Sequence, residues 1–185
     1  MALLPYVDES KASQEVRDIL SRTRLKLNVG RMIANSDAAF RPFSQLGNAL
    51  MTRAKLDSKL REIAILRNAK VCGSVYEWTQ HVPMAKACGV TDAQVAAMDN
   101  WEAAKCFNDT ERLVLKFTDE VARGVKGKPE TVEQLKKVMG TAEIVELIVS
   151  IGFWGMVARL LETTEVELEE FAGKINLLQA AQRRQ

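Results

Sequence analysis

Apolar residues recur along this chain at three- and four-residue spacing, and period-two runs of β-branched residues bounded by turns are almost absent. The pattern predicts an all-α fold. Ser13 opens a first helix through Val16 and Leu20 to Leu25, which Gly30 ends or interrupts. Asn35-Ser36-Asp37 caps a second, whose Phe40, Phe43, Leu46 and Leu50 form an apolar face although Pro42 lies in its first turns. Asp57 or Ser58 caps a third, from Leu60 to about Val71, in which Ile63, Leu66 and Ala69 leave little fully polar surface. Such a helix is expected to be buried on more than one side. After the Cys72-Gly73 turn, a helix runs from Ser74 to about Cys88 and stops at Gly89.

Thr91 with Gln94, and Asn108 with Glu111, carry the spacing of capping boxes and open two more helices. The second continues through Val114, Phe117 and Val121 to Gly124, and Pro129 opens another that reaches Val138 and ends at Gly140. Thr141 caps the longest apolar helix, about 142–162. Its Gly152 and Gly155 each cost roughly 1 kcal/mol relative to alanine, which predicts close helix contacts there. Beyond Leu161 the glutamates 162, 165, 167, 169 and 170 alternate with Val166 and Leu168, as an extended arm packed on a neighbour or a solvated tail does. The final residues, 182–185, are expected to fray.

With 185 residues, the chain has enough material for one substantial core. We divide it into an N-terminal helical segment 1–34, a main helical domain 35–162 and an acidic arm 163–185. The 26 basic and 24 acidic residues nearly cancel, so nucleic acid is not an expected partner. The most apolar stretch, Leu147–Ala158, covers about half of the roughly 20 residues that cross a bilayer, so it reads as a core helix and no membrane association is expected. The N-terminus lacks the features of a secretory signal, and three widely spaced cysteines, Cys72, Cys88 and Cys106, suit free thiols in a reducing cytoplasm. One histidine and no close cysteine pair offer too few ligands for zinc.

That histidine, His81, is the best lead to chemistry. Ser74, Glu77 and His81 stand at i, i+3 and i+7, so a hydroxyl, a carboxylate and an imidazole share one helix face, a combination suited to proton transfer. A structural reading stands beside it. Ser74 and Glu77 have capping-box spacing, and a histidine can simply be a satisfied core residue. Glu62 is either an exposed carboxylate paired with Lys59 or, with Ile65 and Leu66 on its next turn, turned inward. Arg67 is a candidate to neutralise a substrate carboxylate, and Trp78 to line a pocket or the core, while Tyr76 points away from the His81 face.

The run Leu60-Arg-Glu62-Ile-Ala-Ile-Leu-Arg67, then Gly73-Ser-Val-Tyr-Glu-Trp-Thr-Gln-His81-Val-Pro-Met-Ala and Gly89-Val-Thr-Asp92, resembles the carboxymuconolactone decarboxylase family, which includes the alkylhydroperoxidase D (AhpD)-type proteins. The resemblance covers about residues 35–160. It implies an AhpD-like helical bundle, a homo-oligomer (trimer or hexamer) and a small-molecule substrate, without metal or organic cofactor. The family's peroxidase branch opens the equivalent helix with Cys-x-x-Cys-x-x-x-His. Registered on His81, those cysteine positions hold Ser74 and Glu77. Neither supplies a sulfenate or a disulfide, so CxxC peroxidase activity is not expected, and Cys72 lies off the peroxidatic position. The decarboxylase branch implies a lyase or isomerase acting on a small oxygenated organic acid or lactone. His81, Glu77 and Glu62 are then the candidate catalytic residues, with Ser74, Trp78 and Arg67 against substrate. The alternatives are a non-catalytic ligand- or partner-binding oligomer of the same fold, and residual thiol chemistry at Cys72.

Overall fold

The structure, a computed structural model, describes residues 1–23 and 25–174, so the last residues named above lie outside it. The described residues form helices joined by turns, with no strand among them. In order these are α1 (Gln14–Arg22), α2 (Asn28–Ile33), α3 (Asp37–Thr52), α4 (Ser58–Cys72), α5 (Val75–Ala87), α6 (Asp92–Ala96), α7 (Asp109–Gly124), α8 (Pro129–Leu135) and α9 (Thr141–Thr164), with one 3₁₀ turn at Met98–Asn100. The all-α, single-domain expectation holds.

Helix α4 is the axis of the molecule, with α5, α7 and α9 packed around it. Every residue from Arg61 to Ala69 is buried, as the lack of a polar face predicted. Asp57 caps its start by accepting from the Leu60 N–H at 3.0 Å, and Gly73 ends it in the left-handed conformation (φ 69°). One core gathers Ile63, Ala64 and Leu66 of α4 with Val114, Leu115 and Phe117 of α7 and Leu147 of α9. A second joins Ile65 to Tyr76, Phe153, Trp154, Val157 and Leu161, and it borders the site described below.

The segment 13–33 departs from the expectation of one helix that Gly30 ends or interrupts. Thr23 leaves the helical conformation (ψ 113°), Leu27 is extended, and a new helix begins at Asn28 with Gly30 inside it. Helix α8 ends at Leu135, short of Val138, and Gly140 rather than Thr141 occupies the cap position of α9, its N–H bound by Glu143 at 2.7 Å. The two capping boxes, Thr91–Gln94 and Asn108–Glu111, are formed as read.

At 24 residues α9 is longer than its most apolar stretch suggested, and it is long and apolar enough to cross a membrane by length and composition. In this fold it is a core helix, with more than half of its most apolar window buried. Among the described residues the acidic segment after it leaves Glu165, Leu168 and Glu170 exposed but is tied down at three points. It packs on its own chain: Val166 is buried, Glu167 accepts from the Ala2 N–H and the Tyr6 hydroxyl, and Glu169 accepts from Tyr76 and Gln80 of α5.

The helix glycines of α9 do not both serve as contacts. A Cβ at Gly152 meets nothing within 4 Å, whereas one at Gly155 lies 3.7 Å from Asn68 of α4. The tight approach is on α3, where a Cβ at Gly47 lies 3.0 Å from the edge of the Phe153 ring. Gly47→Val is expected to lower unfolding free energy by about 1–3 kcal/mol through overpacking. Gly152→Ala, in open space, is expected to raise it by roughly 0.5–1 kcal/mol through helix propensity. Urea denaturation of both variants checks the pair.

Candidate active site

The buried charge of α4 selects the site. Glu62 is 0% exposed, and Lys59 pairs with Glu111 at 2.6 Å rather than with it, so the inward reading is the one realised. Its Oε2 lies 2.9 Å from His81 Nδ1 on α5. The other ring nitrogen, Nε2, receives the indole N–H of Trp154 on α9 at 2.8 Å. An indole nitrogen only donates, so Nε2 presents a lone pair and the ring proton sits on Nδ1, donated to Glu62. Three helices thus define one neutral imidazole tautomer.

Glu77 stands one turn before His81, its Oε2 3.7 Å from Nε2. The capping-box reading is half realised. Ser74 accepts from the Glu77 N–H at 3.5 Å, but the Ser74 N–H goes to Ala69 C=O at 2.9 Å and the Glu77 carboxyl turns inward. Burial, opposed by His81 and reinforced by Glu62, raises the Glu77 pKa to about 7. At His81 burial works against the imidazolium, yet the Glu62 and Glu77 carboxylates outweigh it and the pKa is raised. Protonation therefore has to occur at Nε2, where it displaces the Trp154 N–H.

These groups form one wall of a cavity of about 280 Å³, at the small end for ligand sites. Phe43, Met51, Met84, Phe153, Trp154 and Val157 supply its apolar surface, and Tyr76, Glu77, Gln80 and His81 its buried polar one. No lysine or arginine is among the lining residues that the structure describes.

The expected substrate residues are elsewhere. Ser74 is a buried helix cap outside the lining. Trp78 packs on the main core beneath the Lys70 ammonium, 4.1 Å from its ring centre. Arg67 is committed to Asp119 through Nε at 2.7 Å and Nη2 at 3.0 Å, and to the Met98 carbonyl at 2.9 Å. Conversely Tyr76, set aside in the sequence, lines the cavity, and its hydroxyl donates to Glu169 at 2.6 Å. The stripe 77, 80, 81, 84 has helical spacing and was the available signal for Gln80 and Met84. Nothing near His81 in sequence pointed to Trp154. Cys72 lies outside the cavity lining, and burial raises its thiol pKa, which lowers its thiolate fraction.

Comparison with known proteins agrees with this architecture. Residues 37–120, which hold α3 through α6 and most of α7, match the model of the carboxymuconolactone decarboxylase family. The resemblance read from the sequence therefore holds over that region, and the described residues have an AhpD-like fold. Among solved structures, an AhpD-core peroxidase-related protein from Ralstonia eutropha JMP134 superposes with a TM-score of 0.76 at 18% identity, over 94% of this chain and 97% of that one. A peroxidase-related protein from Silicibacter sp. TM1040 does so with a TM-score of 0.77 at 16% identity, over 93% and 94%. A cysteine-to-alanine variant of the debrominase Bmp8, in complex with 2,3,4-tribromopyrrole, gives 0.74 at 16% identity, over 97% of each chain. At such identities the likeness is one of fold. No curated protein matches the sequence.

Glu77 makes stability depend on pH. Its carboxyl ionises near 4.5 in the unfolded chain and at about 7 in the folded one, so between these values the folded state retains a proton that the unfolded state has released. The stabilising contribution is full below about pH 4.5 and is lost as pH rises through 7. Glu77→Gln is expected to flatten the melting-temperature profile between pH 5 and 8 and to gain about 2 kcal/mol at pH 8. The slope that persists belongs to His81, which also loses stability as pH rises through its raised pKa. Thermal melts across this range check it.

Proposed function

We propose that this chain is a cofactor-independent lyase or isomerase that moves a proton on a small oxygenated substrate held in the Glu77–His81 cavity. The carrying observation is a buried carboxyl of pKa about 7, with one oxygen free of hydrogen bonds among the described residues, beside an imidazole anchored by Glu62. A carboxyl poised near neutrality exchanges protons in both directions at working pH. As carboxylate, Glu77 takes a proton from carbon next to a carbonyl and leaves an enolate. As acid, it returns the proton at another carbon, or at the carbon from which CO₂ has left. His81 shares the charge: when the indole swings away, Nε2 accepts a proton and donates it toward Glu77. Glu62 and Trp154 are positioning residues that set the ring's tautomer.

Of the two substrate classes expected, the lactone suits this cavity better than the organic acid, because Arg67 is turned elsewhere and an anion would face Glu77 without a fixed cation. The debrominase neighbour, with its bound tribromopyrrole, supports a small planar ring as the kind of molecule this fold accommodates. The raised thiol pKa at Cys72 supports placing thiol chemistry last.

We also propose self-association through the outer face of α3 and α9. Leu46 and Met156, each more than 40% exposed, line with Val149 and Gly152 an apolar groove that a second copy can fill, and Val145 and Ile148 of α9 are exposed to the same degree.

A panel of lactones and β-keto acids, followed by solvent-deuterium incorporation and CO₂ release, tests the activity. Glu77→Gln and His81→Ala are each expected to reduce kcat by roughly 10²–10³, and Cys72→Ser to leave it within about twofold. Full activity in both Glu77→Gln and His81→Ala overturns the proposal. For the interface, Leu46→Asp combined with Met156→Asp is expected to reduce the mass in light scattering to that of one chain of 20.6 kDa.

A further inference from the structure

The polar groups on the deep wall of the cavity are unevenly spent. Among the described residues, each donor-bearing side chain there already donates within the protein. The Trp154 N–H goes to His81 at 2.8 Å, the Tyr76 hydroxyl to Glu169 at 2.6 Å, the Gln80 amide N–H to the other oxygen of Glu169 at 2.6 Å, and the His81 Nδ1–H to Glu62 at 2.9 Å. Two acceptors are left over. Glu77 Oε2 and Gln80 Oε1 are buried without a hydrogen-bond partner among the described residues, on side chains whose residues are 4% and 3% exposed. The Gln80 orientation is physically determined, because its NH₂ group is the only end that can face the Glu169 carboxylate, which leaves the carbonyl end free. Both residues line the cavity, one turn apart on α5, at positions i and i+3.

The geometry points to a ligand that donates hydrogen bonds: a small neutral ring bearing O–H or N–H groups, recognised by Glu77 Oε2 and Gln80 Oε1 and enclosed by Phe43, Phe153 and Trp154. A ring that only accepts hydrogen bonds displaces water from these two oxygens and leaves both bare. A carboxylate does the same and adds like charge opposite Glu77. A site built around hydrogen bonds to a ligand O–H or N–H rejects the analogue that lacks the group far more strongly than an apolar pocket rejects a change of one methyl. Ser44 and Asn48, further out on α3, contribute both donors and acceptors and do not impose this preference.

The assignment rests on the cavity named in the proposed function but not on its chemistry, and the two are separable by experiment. Isothermal titration of the intact protein at pH 8 with 4-methylphenol, 4-methylanisole and 4-methylbenzoate supplies probes of one shape that donate, only accept, and carry charge. The phenol is expected to bind at least tenfold more tightly than the ether, with the benzoate weaker than the ether. In Gln80→Leu and Glu77→Leu the phenol-to-ether ratio is expected to fall at least threefold. If either variant does not fold, the wild-type series alone decides. Equal binding of phenol and ether, tightest binding of the benzoate, or no binding of any of the three overturns the assignment. Donor preference without deuterium exchange into any substrate removes the proton-transfer reading and keeps this one. Exchange without donor preference does the reverse.

Discussion

The unbroken burial of α4 is the constraint from which the remaining structure follows. Nine successive residues, Arg61 to Ala69, lie inside, and among them are two arginines, a glutamate and an asparagine. Apolar residues at such positions only need volume filled around them. Charged ones need a partner at a defined point, because an unpaired ion in a protein interior costs several kcal/mol. Glu62 therefore specifies where His81, and with it α5, has to lie. Arg67 likewise specifies where Asp119 brings α7, and its two-pronged contact leaves little rotational slack. The helices that wrap α4 are held in register by ion pairs as well as by fit.

From this placement the site inherits an asymmetry between its two carboxylates. Glu62 is fully enclosed and bonded to the imidazole, so it defines geometry. The spare oxygen of Glu62 lies toward Arg61 at 3.6 Å, outside the cavity, whereas Glu77 lines the cavity, so of the two only Glu77 meets a ligand there. The neutral, apolar surroundings that raise its pKa are also what distinguishes this cavity from one built for anions. The two positions that the resemblance to the peroxidase branch would give to cysteine hold here a helix cap, Ser74, and this carboxyl. The cap keeps the helix start intact, and the carboxyl puts a proton-exchanging group, in place of a thiol, on the cavity wall.

Much of this was legible in the sequence because it is local. Helix class, the two capping boxes, the buried character of α4 and the pairing of Glu77 with His81 follow from spacings of three and four residues, whereas only the family resemblance joins Glu62 to them. The failures share a cause. Arg67 was assigned to substrate and belongs to Asp119, 52 residues away, and Trp154 reaches His81 from 73 residues away. No periodicity on one helix reports which residue of another it will meet. The break between α1 and α2 and the docking of the acidic arm were missed for a related reason. Backbone entry angles and Glu169's reach to Tyr76 and Gln80 are settled by tertiary contacts that outweigh local propensity.

The imidazole is bonded by residues that the chain supplies at very different times. Glu62 and His81 lie on consecutive helices, and their contact closes a short loop that forms early and at small entropic cost. Trp154 belongs to the last helix among the described residues. During synthesis the Glu62–His81 pair can exist while the indole is still within the ribosome, and in that interval the Nε2 lone pair is open to water. Docking of α9 brings the indole onto Nε2 and is thus what closes the imidazole off from water, so the dryness of the site is a property of the packed bundle and not of α4 and α5 alone.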